Sequence, residues 1–266
     1  MKQDDEENRV ILQRPNMVEQ AVFGMIGWWF RTVVTTRGDN RADSTPITSW
    51  SGPHPPNVPV LVMLPGFQGP VSNFHHLCEN LHGLLGDRFA YAIVDTLDPG
   101  MGPTPEANAR LLDAFLDARH LKWRPLYLVG HSMGGLIARC YLHWPERAAH
   151  IRGMITIATP HAGVHAWNLA PIHWARSRGF DRRFNANYPL DPSIPFMNIS
   201  GTRGARMLEG YPNDGVVGLW SVEHARQLAG APAEMCEEQY CLNHMGLLRE
   251  RQVAEGIAGF VQTTPA

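Results

Sequence analysis

A serine hydroxyl is a poor nucleophile at neutral pH. It becomes a good one when a histidine takes its proton and a carboxylate orients that histidine. The chain offers one serine in a setting built for this. Gly130-His131-Ser132-Met133-Gly134 has the form Gly-x-Ser-x-Gly. The bare pattern is weak, since about one chain in ten of this size and glycine content carries it by chance. Its flanks make it specific. Leu126-Tyr127-Leu128-Val129 precedes it as a short apolar strand, and Gly135-Leu136-Ile137-Ala138-Arg139 continues it as a helix. A sharp strand-to-helix turn holds the serine in a strained conformation at the strand's end, and the glycines let the two elements approach. The hydroxyl then sits at a helix N-terminus, where developing negative charge is stabilised. The plain alternative is an inert serine in a glycine-lined helix cap.

With these residues the sequence resembles the α/β-hydrolase superfamily. Gly-His-Ser-Met-Gly-Gly, residues 130–135, is similar to the bacterial triacylglycerol lipases and carboxylesterases. The resemblance covers about residues 58–266 apart from one insert; residues 1–57 lie outside it. It implies an α/β fold: a mainly parallel central sheet, helices on both faces and a small cap. It also implies the chain order nucleophile, acid, histidine. Asn213-Asp214-Gly215-Val216-Val217 is similar to the loop that carries the acid in these lipases, and Asn243-His244-Met245-Gly246 to their histidine loop. On that reading His244 takes the proton from Ser132 and returns it to the leaving alcohol, while Asp214 holds the ring in the needed tautomer. Rival residues remain. Asn-Asp-Gly is a strong turn signal in its own right. His224 also lies beyond Asp214, and Asp191 and Glu209 are other carboxylates in the region.

Ester cleavage passes through an oxyanion that two backbone N–H groups stabilise; losing one costs about 3–4 kcal/mol of barrier. Met133, the residue after the nucleophile, supplies the first. Leu64-Pro65-Gly66-Phe67-Gln68-Gly69 resembles the lipase loop that supplies the second, which points to Phe67, with Gln68 the weaker candidate. The chain departs from the lipase pattern here. Pro65 stands where these relatives have a histidine that braces the loop.

The remaining elements must carry these loops. Val58–Leu64 reads as a strand buried on both faces, as do Phe89–Val94, Leu126–Val129, Met154–Ala158 and Pro195–Ser200, with a less clear one at Glu234–Tyr240. Helical patterns run over Asn73–Leu85, Thr104–His120, from just after Ser132, over Ser221–Leu228, and over Leu247–Val261. Strands alternating with helices predict a parallel sheet covered on both faces.

One stretch breaks the rhythm. Residues 161–194 form a long insert, the length of a lid. It holds Trp167, Trp174, Phe180, Phe184 and Tyr188, which either line an acyl pocket or form the insert's own core. Arg176, Arg178, Arg182 and Arg183 read as a solvated face or as an attractor for acidic headgroups. Thr159-Pro160-His161-Ala162-Gly163 is similar to a segment under the active-site rim of many lipases, where His161 is structural. His161 and His165 have metal-ligand spacing but no convincing third ligand, so neither metal nor cofactor is expected.

Composition bounds the rest. The 266 residues suit one domain with an inserted cap. Hydrophobic residues make up 44% and charged residues 18%, which excludes wholesale disorder. A net charge of −2 gives no pull toward nucleic acid. The acidic opening Asp4-Asp5-Glu6-Glu7 has the wrong sign for a secretory leader and points to the cytoplasm. The apolar run Ala21–Phe30 is too short to span a bilayer; it packs on the core or touches a membrane surface. Cys236 and Cys241 either close a small loop or stay free thiols. The expected activity is cleavage of a small-molecule or lipid ester. An acyltransferase, cyclase or thioesterase would use the same residues, and a binding protein on the same scaffold would lack one of them.

Overall fold

A computed structural model of the chain describes residues 54–67, 71–95, 97, 104–144, 150–164, 178–204 and 212–264, with the backbone alone over 178–182. The apolar run at 21–30, Gln68, His165, Trp167, Trp174, Arg176 and Glu209 lie outside the described residues, as do the side chains of Arg178, Phe180 and Arg182.

Among the described residues six strands form one sheet: β1 (Val60–Leu64), β2 (Ala90–Ile93), β3 (Leu126–His131), β4 (Ile151–Ile157), β5 (Phe196–Gly201) and β6 (Cys236–Tyr240). Their order is β2-β1-β3-β4-β5-β6, and every pair is parallel. The helices are α1 (His75–Leu85), α2 (Pro105–Ala118), α3 (Met133–Leu142), α4 (Arg178–Asn187), α5 (Leu219–Glu223) and α6 (Arg251–Thr263). The mainly parallel sheet expected from the sequence is therefore parallel throughout its described strands.

Alternation along β1 shows why a parallel strand reads as an unbroken apolar run. Val60, Val62 and Leu64 point to one face, where they meet Leu112, Phe115 and Leu116 of α2 and Leu136 and Ile137 of α3. Leu61 and Met63 point to the other, against Leu77, Leu81 and Leu85 of α1 and Val253, Ile257 and Val261 of α6. Both faces are dry, so both parities must be apolar. Each such side chain, fully buried, contributes about 1.5–3 kcal/mol against the entropy of ordering it. Local signals agree with the packing. Thr104 caps α2, its Oγ1 accepting the Ala107 N–H at 3.3 Å, and Pro105 occupies the first helical position where no N–H is needed.

Several expectations change, among them the helical pattern over Ser221–Leu228, which resolves into α5 starting at Leu219 and a 3-10 turn, His224–Gln227. The first strand begins at Val60 rather than Val58, because Pro59 has no N–H to give to the ladder. The last helix begins at Arg251; Leu247 and Leu248 belong to a short 3-10 turn, Gly246–Leu248. Cys236 and Cys241 do not close a loop. Residues 236–240 form an extended strand, so five residues carry the second thiol about 16 Å onward, beyond the roughly 7 Å Cα separation a disulfide tolerates. Cys236 is half-buried, Cys241 is exposed, and both are free.

The insert returns to the core through α4. Phe184 is buried in the same cluster as the α3 side chains, with the Tyr188 ring 5.0 Å away, so these two aromatics belong to the main core. Among the described residues, no helix is long and apolar enough to cross a membrane.

Candidate active site

The site gathers at the carboxyl ends of β1, β3, β5 and β6. The strand order reverses between β1 and β3, and there connections leave the sheet in opposite directions and open a crevice.

Ser132 stands between the end of β3 and the start of α3 with φ 54° and ψ −121°, a conformation costly for any residue with a Cβ. The surroundings enforce it. Its N–H donates to the Ile157 carbonyl at 2.8 Å, tying the turn to β4. A Cβ at Gly134 would lie 2.0 Å from the Leu64 carbonyl oxygen, so only glycine lets α3 begin this close to β1. Met133 opens α3 and is buried; the first N–H groups of a helix have no intrahelical acceptor. The loop after β1 reaches the serine too: a Cβ at Gly66 would lie 2.8 Å from Ser132 Cβ. Phe67, next in that loop, is half-buried and packs against the core.

Asp214 and His244 approach from the other side of the crevice. Asn213 Oδ1 accepts the Gly215 N–H at 2.9 Å, closing a tight turn around a glycine with φ 98°. Within it Asp214 Oδ1 accepts the N–H groups of Val216 and Val217 at 2.9 and 2.8 Å. Asp214 Oδ2 is left for His244, whose Nδ1 lies 2.7 Å away. The His244 N–H also donates to the Asp214 carbonyl at 2.9 Å, so the two loops are bound by backbone as well as side chain. Asn243 Oδ1 accepts the Gly246 N–H at 2.7 Å and shapes the histidine's own turn. Both residues are buried. An ionised carboxylate that gives up water needs such donors in its place. Because the carboxylate accepts, the Nδ1 of His244 carries the proton and its Nε2 keeps a bare lone pair.

His131 joins the two sides. It is buried, and its Nε2 lies 3.1 Å from the His244 carbonyl oxygen. A carbonyl only accepts, so this Nε2 carries the proton. The rings of His131 and His244 lie 4.5 Å apart, tilted by 50°. Burial, and next the neighbouring His244, push the His131 pKa well below the usual imidazole range, against a smaller opposing pull from its backbone hydrogen bond.

Two of the rivals, Asp191 and His224, lie in turns of their own. Asp191 Oδ1 accepts the Ser193 N–H and hydroxyl at 2.9 and 2.6 Å, a self-contained turn. His224 opens a 3-10 turn, His224–Gln227. His161 is buried with Nδ1 3.4 Å from Nη1 of Arg139, a donor-only group, and burial and that guanidinium push its pKa well down. It cannot serve as a cationic partner there.

Arg139, on the helix that follows Ser132, drew no attention in the sequence. It is wholly buried, donates to the Tyr188 carbonyl and to Asn185 Oδ1 at 2.9 Å, and lies 5.1 Å over the Phe184 ring. Burial pushes its pKa down to about 10. It ties α3 to the returning end of the insert. Ser221 was missed as well: its hydroxyl donates to the Gly163 carbonyl at 2.6 Å and accepts the Ala162 N–H at 3.1 Å, fixing the insert's departure. A lone arginine or serine within a helix carries no pattern that would reveal such a role. Among the described residues, no group of three His, Cys, Asp or Glu is placed to hold a metal.

A family model described as the alpha/beta hydrolase fold matches residues 59–197. No curated protein sequence matches significantly. Solved structures share the fold at low identity. A lin2722 gene product of Listeria innocua is 16% identical over 79% of this chain and 96% of its own, with a TM-score of 0.58. Mature Bacillus licheniformis lipase BlEst2 is 19% identical over 74% and 89%, with a TM-score of 0.54. The type II thioesterase BorB of the borrelidin biosynthetic cluster is 19% identical over 83% and 99%, with a TM-score of 0.53.

Proposed function

The chain belongs to the α/β-hydrolase fold family, and from that premise we propose that it is a serine hydrolase cleaving carboxylic esters of the esterase and lipase class. One observation carries the reading. A buried Asp214–His244 pair, 2.7 Å apart with its proton on Nδ1, meets the strained serine turn through His131.

In the proposed reaction Ser132 Oγ attacks the ester carbonyl as His244 Nε2 takes its proton. Asp214 stabilises the imidazolium without taking the proton itself. The oxyanion is held by the N–H groups of Met133 and Phe67, the first aided by the start of α3. As the intermediate collapses, the C–O bond breaks and His244 protonates the departing alcohol. His244 then deprotonates a water, which attacks the acyl-enzyme; the acid leaves and Ser132 regains its proton.

A thioester substrate, or an alcohol in place of water, would use the same groups. The BorB likeness is one of fold and keeps that second reading in the test. Nitrophenyl esters of short to long acyl chains are offered to the native protein and to Ser132→Ala. Nitrophenol release that disappears in the variant supports the reading, and the chain-length profile sizes the acyl pocket. Ester turnover that persists in Ser132→Ala would falsify it. If no ester turns over but a fluorophosphonate labels Ser132, acyl thioesters and added acceptors become the substrates to try.

A further inference from the structure

Three loops of the site meet on one imidazole that the proposed reaction does not use. The His131 Nε2–H donates to the backbone carbonyl of His244, and the two rings pack 4.5 Å apart. On the other edge, a Cβ at Gly66 would lie 3.3 Å from His131 Nδ1, so the ring also backs the loop after β1. The Phe74 ring of the 3-10 turn before α1 stands edge-on at 6.5 Å and limits rotation. His131 itself is the last residue of β3, rigidly joined to Ser132.

Resting on the serine-hydrolase reading, we propose that His131 is a positioning residue that holds His244 in line with Ser132 through its Nε2–H and braces the Gly66–Phe67 loop. Asp214 fixes His244 at Nδ1 and sets its tautomer, but a ring held at one atom can still swing about that bond. The His131 ring packed 4.5 Å away limits that swing, and its bond to the His244 carbonyl ties the base's backbone to the residue next to the nucleophile. It also makes base and nucleophile move as one body. The ring is chemically suited to the place. A neutral imidazole donates one hydrogen bond and leaves the other edge bare, whereas a lysine or arginine would set a permanent charge beside the imidazolium that forms on His244. Pro65 has no polar side chain with which to brace this loop, and His131 reaches the loop from the nucleophile side.

The test compares His131→Gln with His131→Met. The two side chains are close in size, but only glutamine carries an N–H near the reach of Nε2. Nitrophenyl ester kinetics, the rate of fluorophosphonate labelling and the melting temperature are read for native protein, Ser132→Ala and both variants. The expected result is a kcat about 10- to 100-fold lower in His131→Met, with KM and melting temperature nearly unchanged, and most of the activity recovered in His131→Gln. Labelling should slow in parallel. Native-like kcat in His131→Met overturns the proposal. So does an equal loss in both variants that follows the melting temperature, since a merely structural ring gives that result. If His131→Met does not fold, His131→Phe takes its place, keeping a ring without the donor. Failure of the underlying reading looks different: native protein neither turns over ester nor takes the label, or Ser132→Ala stays active, and the positioning role falls with it.

Discussion

Ser132 is placed by backbone sterics, whereas Asp214 and His244 are placed by hydrogen bonds. On the serine side, a left-handed φ, a helix starting hard against the Leu64 carbonyl and one bond to β4 leave a single arrangement of the turn. On the side of Asp214 and His244, two loops depend on their own side chains: Asn213 and Asn243 close the turns, and Asp214 gathers the Val216 and Val217 N–H groups. Steric placement tolerates almost no change. Hydrogen-bonded placement weakens by steps, since each bond is worth about 0.5–1.5 kcal/mol net.

The largest expected effect breaks the serine side chemically. Ser132→Ala should lower kcat/KM by about 10⁴-fold or more while the melting temperature holds, as steady-state kinetics and a thermal scan would show. On the other side, Asp214→Asn should cost about 10³- to 10⁴-fold, because an amide favours the wrong histidine tautomer. The fold should survive, since the remaining carbonyl oxygen still accepts from Val216 and Val217. A third pair tests the contrast directly. One methyl group in Gly134→Ala should destabilise by about 1–3 kcal/mol and cripple the turn, because the nearest atoms are backbone and cannot yield. Removing a whole amide in Asn243→Ala should cost only about 1 kcal/mol and a few-fold in rate. Denaturant titrations of both variants decide it; a larger loss in Asn243→Ala would reverse the contrast.

The smallest effect concerns pH. His131 beside the serine and His161 beside Arg139 are both buried with pKa values pushed well below the ordinary 6.5. Unfolding lets each ring take up a proton that the folded form refuses. Stability is therefore full above about pH 6.5 and falls below it, until the folded rings themselves titrate. The slope is at most about 1.4 kcal/mol per pH unit for each ring. His131→Gln should remove its share of that slope, measured as unfolding free energy between pH 7.5 and 5.

The same contrast governs how much of the molecule could be read from sequence. A turn fixed by sterics leaves fixed residue types at fixed spacing, so Gly130, Ser132 and Gly134 stand out, and the dry strands β1, β3 and β4 read as apolar runs. Asp214 and His244 needed the family resemblance, because a turn made by Asn-Asp-Gly looks alike whether or not its carboxylate meets a histidine. β6 was faint for another reason. Its residues Cys236–Tyr240 are mostly half-buried at one edge of the sheet, with Glu237 and Glu238 among them, so no apolar run forms. The places of Arg139 and His131 were illegible because their contacts, with Tyr188 and His244, are distant in sequence. Both positions read as ordinary helix and motif filler.

The depth of Ser132, only 8% exposed, bears on the second half of the proposed reaction. An acyl group carried there meets few water molecules at any moment. Its lifetime is then set by admission: whichever small hydroxylic molecule fits the crevice competes on fit as well as on abundance. Water at about 55 M and an alcohol at millimolar level can then differ less in turnover than in concentration. The ratio of free acid to new ester, followed as a slender alcohol is added, measures how selective that doorway is.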